Sequence, residues 1–130
     1  MANYYASCRS NYFKVEDIDK FKEAMPSGIE VSVEKDGTVC LLGEDADGGG
    51  WPTYVYNEET DEHDDFDLEQ VVASHLQPGS WCVLQEVGAE KLRYLVGHAV
   101  AFTKDLEDLI TVDLNDIYKK LPPGVSSCEY

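Results

Sequence analysis

Lysine and arginine are absent from a long central part of this sequence. Between Lys35 and Lys91 there is no basic residue, whereas the same 55 positions hold fourteen Asp and Glu residues. Proteins that bind bare nucleic acid or an anionic membrane surface neutralise phosphates with lysine and arginine. The formal net charge of the whole chain is −16, so the sequence argues against both functions.

Other absences exclude further kinds of site and of protein. The four cysteines form no C-x-x-C pair, which argues against a structural zinc site and a thioredoxin-type site. No run approaches the about 18 apolar residues of a membrane-spanning helix, and the first residues lack the pattern of a secretory signal. We therefore expect a cytoplasmic protein with reduced thiols. Cys8, Cys40 and Cys82 are expected in the core, although the count alone leaves two disulfides open.

Core-forming residues are nonetheless plentiful. Apolar residues make up 43% of the 130 positions and aromatic residues 11%, unlike a disordered acidic tail. This length predicts one acidic domain over 1–130, with a flexible tail over about 122–130.

Local patterns in the first half predict strands around one helix. Glu16 or Asp17 is expected to cap that helix, and the Asp36–Gly37 pair predicts a type I′ turn within a hairpin. A further strand is expected to continue this meander, with Tyr54 and Tyr56 on one face. The predicted extended segments are 3–8, 11–15, 29–33, 38–42 and 53–57.

The second half predicts two more helices and two or three strands. Residues 58–65 are too charged to bury, and Asp67 with Gln70 resembles a capping box that begins the second helix. Asp113 is expected to cap the last helix, and the strands are expected at 81–87, 92–103 and 109–112. The fold class is therefore α+β, an antiparallel sheet of about five to six strands with about three helices packed mainly on one face.

Motifs for metal binding or catalysis are incomplete. Asp45-x-Asp47-x-Gly49 has the opening rhythm of a calcium loop, but Gly49 replaces an oxygen ligand and Tyr56 stands where the bidentate Glu is required. Weak adventitious binding of divalent ions stays open. The three histidines have no metal-ligand spacing, and no serine or cysteine lies in a nucleophile motif. We expect no enzyme activity, no cofactor and no specific metal.

The acidic residues are concentrated in one block. Like charges within about 8–10 Å repel, and a surface selected only for solubility interleaves both signs. The block is either a solvated face or a surface that binds a positively charged partner. The candidate partner-binding residues are Glu44, Asp45, Asp47, Glu58, Glu59, Asp61, Glu62, Asp64, Asp65, Asp67 and Glu69.

A carboxylate surface of this kind can stand in for a nucleic-acid backbone. At the charge density of duplex DNA, one per about 1.7 Å, eleven carboxylates correspond to about 19 Å, or five to six base pairs. Carboxylates also accept bidentate bonds from arginine, as phosphates do. Trp51, Tyr54, Tyr56 and Phe66 are either apolar anchors beside the block or core residues.

A small domain with these properties resembles the DNA-mimic inhibitors that phages and plasmids carry, the anti-CRISPR and antirestriction proteins. The strings 9–15 and 86–94 also resemble an uncharacterised family of short proteins from bacterial mobile elements. The resemblance to DNA mimics implies a basic nucleic-acid-binding protein or complex of a bacterial defence system as the partner, and a homodimer is compatible with it. The alternative is an acidic accessory domain that binds a partner through its aromatic-rich sheet.

Overall fold

The computed structural model describes residues 5–43, 50–91 and 94–128. These residues form a six-stranded antiparallel sheet, a separate two-stranded hairpin, two α-helices and two 3-10 helices, which confirms the predicted α+β class. The strands are β1 Tyr5–Ser10, β2 Ile29–Val33, β3 Val39–Gly43, β4 Tyr54–Asn57, β5 Glu62–Asp65, β6 Cys82–Glu90, β7 Tyr94–Phe102 and β8 Ile110–Asp113. The helices are α1 Ile18–Ala24, α2 Leu68–His75 and the 3-10 helices Leu106–Asp108 and Leu114–Lys120.

The large sheet has the strand order β2-β3-β1-β6-β7-β8, so the first strand of the chain lies in the middle. The predicted extended segment 11–15 forms no strand, but Phe13 and Val15 make isolated bridges to Val39 and Leu76. β4 pairs with β5 alone, so the prediction that 53–57 continues the meander is wrong. Its partner β5 carries three carboxylates in four residues, and these could not be buried beside β3 against the helices.

The turn between β2 and β3 also differs from the prediction. Gly37 has a φ of 88°, but Asp36 does not have a positive φ, so the turn is not type I′. The Gly37 N–H donates to the Glu34 carbonyl at 3.0 Å, and the Glu34 N–H donates to the Thr38 carbonyl at 2.9 Å. This is a three-residue connection in which a single glycine takes the left-handed position.

The two α-helices cover one face of the sheet, here called the inner face. The Asp17 side chain accepts from the Lys20 N–H and begins α1, and α2 lies beside α1. Phe21 of α1 is fully buried, with its ring edge-to-face against Phe13 at 5.8 Å. The helices and the inner face share one core, whose largest buried members are Phe13, Phe21, Phe102, Leu41, Leu76 and Leu84.

The predicted last helix is present but is a 3-10 helix. Asp113 caps it, and Asp113 and Asp116 form a reciprocal capping box. Among the described residues, no helix has the length and apolar character needed to cross a membrane.

Candidate protein-binding surface

The most acidic described segment is a projecting β-hairpin. β4 and β5 pair antiparallel from Tyr54 opposite Asp65 to Asn57 opposite Glu62. The Phe66 N–H donates to the Thr53 carbonyl at 2.8 Å and closes the base of the hairpin. Six carboxylates lie on it, and we call this set the acidic arm: Glu58, Glu59, Asp61, Glu62, Asp64 and Asp65.

Polar side chains form the tip of the arm without a glycine. The Asn57 Oδ1 accepts from the backbone N–H groups of Glu59 and Thr60 at 3.0 and 3.4 Å. Asp61 takes a left-handed backbone conformation with a φ of 55°, which Asp tolerates better than most residues. The Tyr56 hydroxyl donates to the Asp61 carboxylate, and this bond raises the pKa of Tyr56. These contacts hold the tip in one conformation.

The two faces of the arm differ in chemistry. Tyr54 and Tyr56 lie on the same face, as predicted, and their rings pack edge-to-face on His63 with centroid distances of 4.8 and 5.6 Å. The opposite face carries Glu62 and Asp64, and Asp64 accepts from the Asn57 side-chain amide at 3.0 Å. Every residue of β5 is exposed, so carboxylates project from both faces.

The arm's carboxylates are not neutralised by described basic residues. Two ion pairs are found within the described ranges, Lys104 with Glu16 at 2.8 Å and Lys119 with Asp116 at 3.1 Å. Neither includes an acid of the arm. The mutual repulsion of the six acids is therefore an electrostatic cost that no described ion pair offsets.

Five of the eleven candidate residues do not belong to this arm. Asp67 caps α2, because its side chain accepts from the Gln70 N–H at 3.2 Å. Glu69 is half-buried and lines a cleft with Trp51, Glu86 and His98. The remaining three, Glu44, Asp45 and Asp47, lie outside the described residues.

Replacement of Asp67 by alanine tests its structural role. We expect Asp67→Ala to lower the free energy of unfolding by about 1 kcal/mol, the usual effect of losing an N-cap, and Asp67→Asn to lower it much less. Urea unfolding measures both. If Asp67→Asn destabilised as much as Asp67→Ala, the role would depend on charge and not on the cap.

Glu86, a buried carboxylate on the inner face of β6, is not among the residues predicted from the sequence. Only 8% of Glu86 is exposed, and its Oε1 accepts from the backbone N–H of Trp51 at 3.0 Å. It therefore anchors the chain just before the arm. The signal was present in the sequence, because alternation with the inward residues Cys82 and Leu84 places Glu86 inward too.

Glu86 also affects its neighbour across the strands, Cys8. The Cys8 thiol donates to Glu86 Oε1 at 3.7 Å. Burial, with a smaller contribution from the Glu86 charge, raises the pKa of Cys8 to about 12. Burial also raises the pKa of Cys82, and the charge of Glu69 adds to that shift. Both side chains are therefore thiols at neutral pH, and all four cysteines are free.

This thiol chemistry predicts a labelling pattern. At about pH 8 only about one Cys8 in ten thousand is a thiolate, so iodoacetamide should modify it very slowly. Cys40 and Cys82 are buried, whereas Cys128 is exposed. Intact mass spectrometry should show one adduct on the native protein and four after unfolding in urea. Rapid modification of Cys8 would contradict the burial and charge that surround it.

Residues that could hold a metal ion are not grouped in the described part of the chain. Within it, no set of three or more His, Cys, Asp or Glu side chains is arranged for coordination. Within the arm, Glu62 and Asp64 share one face and Asp65 lies on the other, so carboxylates are available for several separate contacts with a partner. Comparison of the chain with family models, with curated proteins and with solved structures gives no match.

Proposed function

We propose that this protein is a non-enzymatic inhibitor that binds the basic nucleic-acid groove of a bacterial defence complex. It acts as a DNA mimic, of the anti-CRISPR or antirestriction kind carried by phages and plasmids, in the cytoplasm of the bacterial host. The observation that supports this most is the acidic arm, six exposed carboxylates on a projecting hairpin without a described basic partner.

The spacing of charges on the arm supports this proposal. Successive side chains of a strand point to opposite faces, so residues two apart lie about 6.6 Å apart on one face, close to every second phosphate of a DNA strand, which carries one about every 3.4 Å. On β5, Glu62 and Asp64 have this spacing on one face, and Asp65 lies on the other. Six carboxylates correspond to about 10 Å of duplex, or three base pairs, which is about half of what all eleven would cover. The arm would therefore occupy part of a DNA channel.

The repulsion between the carboxylates of the arm also supports binding to a basic partner. Its unpaired charges would recover their repulsion energy when arginine and lysine side chains of a partner approach. Arginine can bind each carboxylate with two parallel hydrogen bonds, the geometry it uses for phosphate. Such binding would be fast, because charges of opposite sign steer the encounter, and it would weaken with salt.

A second candidate function places the contact on aromatic residues. Tyr54 and Tyr56 are 58% and 54% exposed on the same arm, and exposed tyrosines often form interface hot spots. In that case the protein is an acidic accessory domain whose binding depends on apolar burial. Tyr54→Ala with Tyr56→Ala would then reduce binding more than charge neutralisation, and the affinity would change little with salt.

Two measurements test the proposal. Immobilised protein should capture a DNA-binding complex from a bacterial lysate at about 50 mM NaCl and release it at about 500 mM NaCl. In DNA-cleavage assays with purified CRISPR effector complexes and restriction enzymes, the inhibitory concentration should rise in proportion to the DNA concentration. Inhibition that is independent of DNA concentration would contradict mimicry of DNA.

A further inference from the structure

The face of the sheet opposite the helices is largely apolar over β6, β7 and β8, and β1 adds Tyr5, Ser7 and Arg9 at one side of it. We call it the outer face and define it by the outward residues of β1, β6, β7 and β8. The strand registers place Val87 beside Gly97, Ala99 beside Val112 and Ala101 beside Ile110. The outward residues are Tyr5, Ser7, Arg9, Val83, Gln85, Val87, Ala89, Leu95, Gly97, Ala99, Ala101, Ile110 and Val112.

The large apolar side chains on this face are far more exposed than a core residue. Val87 is 65% exposed, Leu95 52%, Ile110 55% and Val112 57%. Contiguous apolar patches of several hundred Å² on a soluble protein usually mark an interaction surface. The exposure of these side chains therefore indicates that the outer face binds another protein surface.

The charged residues of the outer face indicate which partner can bind there. The chain has 26 acidic residues, yet none of the outward residues of these four strands is Asp or Glu, and Arg9 is the one charged residue among them. A basic partner would gain no ion pair here and would be attracted to the acidic arm. A second copy of this chain, however, could approach through this face without placing carboxylates opposite each other.

The large and small side chains of the outer face are arranged so that two copies can fit together. Ala99 and Ala101 make a low track along β7, between a ridge on β6 and a ridge formed by Ile110 and Val112 of β8. The side chain of Leu114 lies 3.0 Å from where a Cβ of Gly97 would be, so Leu114 covers Gly97 and closes that end of the track. About a two-fold axis, the β8 ridge of each copy can lie in the β7 track of the other, because an isologous interface exchanges the same contacts.

The area is sufficient for a weak dimer. The four strands hold 28 residues, so at about 3.3 Å per residue and about 4.8 Å between strands they cover about 440 Å² on each copy. Two such faces bury about 900 Å², just below the about 1,000 Å² of a specific interface and in the range of weak, transient ones. The net charge of −16 on each copy opposes association at low salt.

We propose that this protein forms a homodimer in which the outer faces of two copies pack sheet against sheet. Because the Trp51 N–H is bound to Glu86 on the inner face, each arm leaves its copy on the side away from this interface. The dimer therefore presents two acidic arms facing outward. This association does not depend on the proposed function of the arm.

Sedimentation velocity over a concentration series tests the dimer. We expect half-association at about 10–100 µM, with tighter association at about 500 mM than at about 50 mM NaCl, because salt screens the repulsion between copies. The arm's binding to a basic partner should have the opposite salt dependence. A failure of one proposal is thus distinguishable from a failure of the other.

Two charge substitutions locate the interface. Val87→Asp and Val112→Asp should each raise the dissociation constant of the dimer at least about tenfold, because each would bury a carboxylate against apolar side chains of the other copy. Val125→Asp is the control, since Val125 is also exposed, at 49%, but lies outside the sheet. Circular dichroism verifies that each variant is folded. A protein that stays monomeric at about 200 µM in high salt, or a dimer that both sheet variants retain, would overturn the proposal.

Discussion

Neutralising four carboxylates of the acidic arm should weaken partner binding by about 100-fold or more while leaving the protein folded. If each lost carboxylate contributes about 0.7 kcal/mol, the total of about 2.8 kcal/mol corresponds to that factor. The chosen side chains make no hydrogen bond or ion pair with other described residues, so the hairpin keeps its contacts. The substitutions are Glu58→Gln, Glu59→Gln, Glu62→Gln and Asp65→Asn.

A matched control separates the arm from net charge. It also changes three Glu and one Asp, all exposed and without described side-chain contacts, and so gives the same net charge. These substitutions are Glu23→Gln, Glu30→Gln, Glu107→Gln and Asp108→Asn. Inhibition and binding, measured at the same ionic strength, should fall only in the arm variant. Equal losses in both variants would show that overall charge acts, and no loss in either would refute the DNA-mimic proposal.

Gly50→Ala should lower the free energy of unfolding by about 3 kcal/mol, the largest effect that we expect among the glycines of the described ranges. Gly50 has a φ of 108°, and a Cβ there would lie directly against Glu86 Oε1 and 2.5 Å from Cδ. The buried carboxylate would have to move and lose its bond with the Trp51 N–H. The strained backbone and the lost hydrogen bond together give this magnitude.

Gly79→Ala is the control, because Gly79 also has a positive φ, 84°, but a Cβ there would meet nothing within 4 Å. Urea unfolding should show only the backbone contribution, about 1 kcal/mol, in that variant. In a double-mutant cycle, Glu86→Ala should remove most of the extra cost of Gly50→Ala. If the two alanine substitutions at glycine cost the same, Glu86 would not hold the chain before the arm.

Local signals were sufficient to predict both α-helices, the start of the second at Asp67 and the start of the first to within one residue. Asp17 and Asp67 are the N-caps, and the helical spacing of apolar residues places Phe21 and Val72 in the core. These predictions succeed because a cap and its helix lie within a few residues of each other. The strand order was not predictable, because β1 pairs with β6, whose residues lie about 78 positions further along the chain.

The arm shows why the rest of the site was harder to predict. The sequence Glu62-His63-Asp64-Asp65 is too charged for a half-buried strand and was interpreted as a solvated segment. It forms β5 by pairing with β4 outside the core, where its carboxylates remain exposed to water. Tyr54 and Tyr56 stabilise this pairing by packing across the hairpin on His63. Charge correctly predicted that these residues are exposed, but it could not reveal that they are paired. Charge also could not separate Asp67 and Glu69 from the arm, since both differ from it only in what they contact.

The central place of β1 has a consequence for how the protein is made. β1 is synthesised before its neighbours, and one of them, β6, begins only at Cys82, about 70 residues after β1 ends. Until then the strand that joins the two halves of the sheet keeps one edge unpaired, and contacts between such distant segments close slowly. Folding of this domain should therefore be completed late and in one cooperative step. A truncated chain that ends before β6 would expose that edge to aggregation.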